Sequence, residues 1–171
     1  MKKTIFVLVL TFLTVHTYGQ EGFKIGAQGG VALGDYKDKV GVVLGLDLGY
    51  MWAISETADL GLATGFLHGF QEKYRADVLT VELPNVQFLP LAASIRIWPS
   101  NSFSFGVDVG QALGINDGND GGLYYRPQIG FLMGAQTELN LSYTGIKQDQ
   151  ESWSTVTFGI LYTILSHRSR R

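Results

Sequence analysis

From residue 40 to residue 54 every even position is apolar: Val40, Val42, Leu44, Leu46, Leu48, Tyr50, Trp52 and Ile54. The positions between them are Gly41, Val43, Gly45, Asp47, Gly49, Met51 and Ala53. A period of two is the signature of a β-strand, whose successive side chains point to opposite faces. Strands usually run about five or six residues. One of fifteen residues must cross something thick, and its two faces must meet different surroundings.

Bulk and charge decide which face meets which medium. If the even face and its equivalents pointed into a narrow barrel, several tens of large side chains would compete for the axis, where close packing leaves no room. The odd face would then meet water with one charge and many glycines, although a soluble surface carries roughly a quarter to a third charged residues. The bulky face therefore points outward, into lipid. Composition agrees: charged residues are 16% of the chain and 22 of the 171 residues are glycine, whereas soluble domains average about 25% charged and about 7% glycine. The mild net charge of −2 offers no electrostatic case for nucleic acid. The absence of cysteine excludes disulfides, a lipid-anchored cysteine and thiolate metal sites.

At the N-terminus Lys2 and Lys3 precede an apolar run over residues 5–15, and Gly19 follows Thr17 two residues on. The run is too short for a transmembrane helix, which needs about twenty apolar residues, and reads as a cleaved secretory signal. The predicted organisation is a signal peptide over 1–19, a barrel over 20–165 and a basic tail over 166–171.

The alternation recurs through the rest of the chain, predicting an all-β fold of eight antiparallel strands in an up-and-down transmembrane barrel. Strands are expected near 23–33, 40–54, 60–70, 83–98, 103–115, 124–136, 139–146 and 153–164. The fourth changes phase around Pro90; proline has no ladder N–H, so a β-bulge is expected there. Connections alternate between short turns at 55–58, 99–102 and near Thr137, and longer polar loops at 34–39, 71–82, 116–122 and 147–152. Such asymmetry is typical of outer-membrane barrels with periplasmic turns and external loops. Two interfacial aromatic girdles are expected. Tyr50, Trp52, Trp98, Phe103 and Tyr162 fall toward the turns; Phe66, Phe70, Phe88, Tyr143 and Trp153 fall toward the loops.

The stretch Val86-Gln87-Phe88-Leu89-Pro90-Leu91, with Leu141-Ser142-Tyr143-Thr144-Gly145 and Thr157-Phe158-Gly159-Ile160-Leu161-Tyr162, resembles the PorT-like small outer-membrane barrels of Bacteroidota, which are similar in architecture to the OmpX and OmpA barrels. The resemblance implies the fold and an outer-membrane location, and says little about activity. In its last residues the chain departs from the aromatic terminus of such barrels: Ser166-His167-Arg168-Ser169-Arg170-Arg171 reads as a periplasmic tail, with contact to anionic headgroups or a partner as the alternative.

Eight strands enclose a space just wide enough for side chains, so no open pore is expected. Lys24, Asp47, Arg96, Asp108 and Arg126, with Gln28 and Gln128, fall on the inward face. Buried charges must pair, because an uncompensated one costs several kcal/mol; a structural ion network is the expectation. No catalytic, cofactor or metal residues are expected. A lipid-A-modifying enzyme would pair a histidine with a serine, yet Phe70 stands two residues from His68, and His68 reads as interfacial. The run from Asn116 to Gly122 fails as a calcium loop, since Pro127 falls where a bidentate glutamate belongs. The leading expectation is a monomeric structural or interaction protein that meets outer-membrane lipid, the barrel-assembly machinery and an extracellular or periplasmic partner. Loop 71–82, which mixes charges with Tyr74, Val78 and Leu79, is its foremost contact surface. A narrow transport or ligand-binding barrel is the alternative, with a lipid-A-modifying outer-membrane enzyme behind it.

Overall fold

The computed structural model describes residues 21–37, 39–71, 85–116, 118–148 and 152–165. The expected signal segment, most of loop 71–82 and the basic tail lie outside them. Eight strands follow one another: β1 (Gly22–Gly34), β2 (Val40–Ala53), β3 (Ala58–Gln71), β4 (Val86–Ile97), β5 (Phe103–Gly114), β6 (Gly122–Met133), β7 (Thr137–Lys147) and β8 (Ser152–Leu165). Each pairs antiparallel with the next, and β1 pairs with β8 from Gly22 opposite Leu165 through Gly34 opposite Trp153, closing the barrel. Closure leaves no strand edge unpaired, which hydrocarbon requires because it supplies no hydrogen-bond partner.

The outer wall is apolar on every strand, with Leu46, Leu62, Leu91, Phe105, Phe131, Leu141 and Phe158 all exposed. Among the described strand residues the outward phase carries one full charge, Lys147 at the loop end of β7. The inward phase carries the ions, amides, hydroxyls and glycines. An arrangement greasy outside and polar inside is stable only with lipid around it, since an apolar belt this continuous far exceeds what soluble monomers expose.

Two local expectations are corrected. The expected bulge at Pro90 does not form: the β3–β4 pairing lapses at Leu89 and Pro90, but Thr64 faces Leu91 and Leu67 faces Phe88 in the same register, and β4 is continuous against β5 from Phe88 opposite Gly114 to Ile97 opposite Phe105. Pro90 points inward in phase with Phe88 and Ala92. The Thr64 hydroxyl donates to the Pro90 carbonyl at 2.8 Å, a polar bond within the strand pair at a depth where lipid offers no donor. A bulge instead lies in β2, where the register shifts between Val40 and Val42. The extra residue reverses the parity, so Val40, expected outside, is buried in the lumen beside Val43.

Candidate functional site

The lumen is filled in layers, and the two lower ones contain the charges. At the turn end Glu138 on β7, fully buried, accepts from Lys24 Nζ on β1 at 3.2 Å and from Arg96 on β4. The Ser104 hydroxyl adds a bond to the same carboxylate at 3.2 Å. Beneath them the Trp98 indole N–H donates to Asp59 at 2.7 Å, and Lys24 Nζ sits 5.8 Å from the Trp98 ring centre.

The middle layer centres on Arg126. Its Nη1 donates to Asp47 at 2.7 Å and its Nε to Asp108 at 3.0 Å. Gln28 donates to Asp47 at 2.9 Å, while Gln128 donates to Asp108 at 3.0 Å and the Ser94 hydroxyl also bonds it. Thr157 donates to Gln28 at 2.6 Å and shares a hydrogen bond with Ser142 at 2.8 Å. The five sequence-predicted ions thus lie in the lumen within ion pairs, in two groups rather than one. A cavity of about 20 Å³ lies among Lys24, Asp47, Ser94, Arg96, Asp108 and Arg126, space for about one water.

Glycine makes these long side chains fit. A Cβ at Gly106 would come within 2.6 Å of Arg96 Cδ, and one at Gly130 would overlap the Glu138 carboxylate and lie 2.5 Å from Ser104 Oγ.

The upper layer is apolar. Phe88, Leu67, Val40, Val43, Ala92, Ala112, Tyr124, Ile146 and Trp153 pack together, with Trp153 edge-on to Phe88 at 5.3 Å and to Tyr36 at 5.1 Å. Above it the loops are tied across the mouth. Tyr36 donates to Gln148 at 3.1 Å, Gln148 to Asn119 at 2.8 Å, Asn119 to the Gln87 carbonyl at 2.8 Å, and the Gln87 N–H to Asn116 at 2.9 Å.

The residues expected in the girdles divide between the two faces of the wall. Tyr50, Trp52, Phe103, Phe66, Phe70, Tyr143 and Tyr162 stand on the outer wall; Tyr50 and Trp52 pack at 4.9 Å. Trp98 and Trp153 do not join them, and Phe88 is likewise inside: each is at most 1% exposed. The Trp98 N–H continues the ladder by donating to the Thr57 carbonyl at 2.8 Å, which keeps that side chain in the inward phase of Arg96. Trp153 shares its parity with Thr155 and reaches Gly69, where a Cβ would lie 2.5 Å from the indole.

Two carboxylates were missed from the sequence, Glu138 and Asp59. Both precede the first residue expected in their strands, and extending each alternation by one residue would have placed them inward, in phase with Asn140 and Gly61. His68 lies on the outer wall, with its Nδ1 3.0 Å from the Gln87 amide and its ring 4.3 Å from Phe70.

No protein-family model and no curated protein sequence matches this chain. Among solved structures it is similar to the outer membrane protein Ail of Yersinia pestis, with a TM-score of 0.59 at 17% identity, over 83% of this chain and 99% of that one. Neisserial surface protein A gives 0.52 at 15% identity, over 85% and 99%. A de novo designed transmembrane β-barrel gives 0.53 at 12% identity, over 86% and 99%. Likeness at such low identity is a likeness of backbone, reached by an evolved and a designed barrel alike. Taken with the closed ladder and the apolar wall, it identifies the chain's fold as a closed, eight-stranded, antiparallel transmembrane β-barrel.

Proposed function

We propose that this chain is a monomeric outer-membrane barrel that works as a sealed scaffold, presenting its external loops to a partner and conducting nothing through its lumen. The observation that carries the reading is the stacked filling of the axis: an ion layer braced across the barrel, an apolar plug around Trp153, and loops bonded over the mouth. Ions and plug exclude a continuous water column, and a rigid wall suits loops that must be held in one arrangement. Within this reading the signal segment directs export, the barrel-assembly machinery inserts the strands, and the chain is one of the PorT-like barrels. That last assignment rests on the sequence motifs around Pro90 and in the final hairpin.

The chain is further proposed to have no enzymatic role. His68 supports this, since among the described residues its side-chain contacts are an amide and the rings of Phe66 and Phe70, none of them a nucleophile or a base partner. The test is conductance of the purified full-length barrel in planar bilayers together with capture of partners from native membranes. Background conductance is expected, with a captured protein that is lost when residues 72–82 are deleted. Steady unitary currents from the unmodified barrel would favour the narrow transport reading.

A further inference from the structure

Two prolines stand in the middle of membrane-crossing strands, Pro90 in β4 and Pro127 in β6. Proline has no N–H to give a ladder, and a closed barrel has no edge at which to place that deficit. Backbone bonds at the turns fix where each deficit falls, because successive residues of a strand bond to opposite neighbours. Thr163 donates to Gln136, so the even residues of β7 bond toward β8 and the odd ones, Tyr143 among them, toward β6. Leu132 donates to Ser102, which turns the odd residues of β6, Pro127 included, toward β7. Trp98 donates to Thr57, which sets Pro90 against Gly65 on β3 in the same way. Each of these ladders lapses at its proline: β6–β7 pairing holds at Tyr125 opposite Gly145 and resumes at Gln128 opposite Ser142, leaving Pro127 level with Tyr143. The carbonyls of Tyr143 and Gly65 therefore receive no ladder donor, at a depth where hydrocarbon offers none.

The two gaps differ in what holds them. At Pro90 the Thr64 hydroxyl bonds the proline carbonyl across the strand pair. At Pro127 the polar side chains beside the gap bond elsewhere: Arg126 reaches Asp108 on β5 and Asp47 on β2, and the Tyr143 hydroxyl donates to Ser154 on β8. The Thr144 hydroxyl, fully buried beside the gap, has no hydrogen-bond partner among the described residues, nor has Oε1 of Gln128.

We propose that the wall opens locally along β6–β7 around Pro127 before any other seam, admitting water to the lumen layer centred on Arg126. Stability varies from region to region within one fold, and opening begins where the fewest bonds must break. Thr144 and Gln128 are the groups that such water bonds. The opening is bounded. At its loop end the ring of Tyr125 lies over Gly145, where a Cβ would come within 2.2 Å of it; at its turn end Glu138 anchors β7 to Lys24 and Arg96. The apolar plug around Trp153 lies above, so the seam is a lateral hinge and not a pore.

The test is hydrogen–deuterium exchange of the full-length barrel in phospholipid nanodiscs, read residue by residue by NMR as protection relative to the unfolded chain. Tyr143 is expected to be less protected than Gly65, and less than Ser142 and Thr144 on the unbroken β7–β8 ladder, by about tenfold, the equilibrium worth of one hydrogen bond. Pro127→Val supplies the missing N–H and is expected to bring Tyr143 up to its neighbours. Thr64→Val removes the tie at Pro90 and is expected to bring Gly65 down to the level of Tyr143. Equal protection of Tyr143, Ser142 and Thr144 in the unmodified barrel overturns the proposal, as does a deficit at Tyr143 that Pro127→Val leaves in place. Gly65 unmoved in Thr64→Val also overturns it, and decides the matter if heat-modifiable migration shows that Pro127→Val does not insert.

Discussion

Arg126 on β6 reaches Asp47 on β2 directly across the barrel axis, Nη1 to Oδ1 at 2.7 Å. The two strands are not neighbours in the sheet, so this pair braces the wall through its interior, where backbone bonding cannot. Removing Arg126 leaves two buried carboxylates without their ion-pair partner. Arg126→Met is expected to destabilise the barrel by about 3–5 kcal/mol, because Asp47 and Asp108 both lose their cation. Urea titration of folding into vesicles, followed by heat-modifiable migration, measures it. The double variant Arg126→Met with Asp47→Asn should recover part of the loss, and strict additivity would show that the pair is not coupled.

Glu138 serves two cations at once, so substitutions there should separate charge from hydrogen bonding. Glu138→Gln keeps an acceptor for Lys24 and Arg96 but removes the charge; Glu138→Ala removes both. Both are expected to lose stability, with alanine the worse by about 1–3 kcal/mol, the usual cost of stranded buried donors. The same urea titration ranks them, and equal stability of all three proteins would contradict the layer described for the turn end.

Trp153 fills the upper lumen against Phe88, Tyr36 and Gly69. Trp153→Ala should cost about 3–5 kcal/mol through the cavity it leaves. It should also raise bilayer conductance above that of the unmodified barrel. A stable variant with unaltered conductance would show that the plug is not where passage is blocked.

Lipid exposure of the wall is tested by depth. Leu46, 58% exposed at the middle of β2, should cost about 2–4 kcal/mol when replaced by Arg, whereas Ile54→Arg at the turn should cost about 0–1 kcal/mol. Folding free energies in vesicles of one composition make the comparison. Equal costs at both depths would argue against a bilayer around this belt.

Gly106 lies opposite Arg96 across the β4–β5 ladder and leaves room for its side chain. Gly106→Val should displace the guanidinium from Glu138 and lower stability by about 1–3 kcal/mol through overpacking. The outer wall opposite is unaffected, so insertion into vesicles should proceed. Undiminished stability would mean that the lumen has slack at this level.

The strands and their faces were legible because parity is local: Leu44, Leu46 and Leu48 announce an outer face whatever lies across the barrel. Parity also held the answer for Trp98 and Trp153, which share phase with Arg96 and Thr155. Residue type drew them to the girdle, although an indole inside a barrel is acceptable wherever a glycine such as Gly69 opens space for it. Val40 escaped for the opposite reason, since a bulge resets parity without marking itself in composition.

Local periodicity thus determined the number of strands, their facing and five of the seven ions buried among the described residues, since a strand's two faces are a property of consecutive residues alone. Tertiary structure decided which ions meet, that Glu138 would join Lys24 to Arg96 and Arg126 would join Asp47 to Asp108. Those partners come from strands brought together only when β1 closes on β8, and closure sets the stagger that puts particular side chains at one height on the axis.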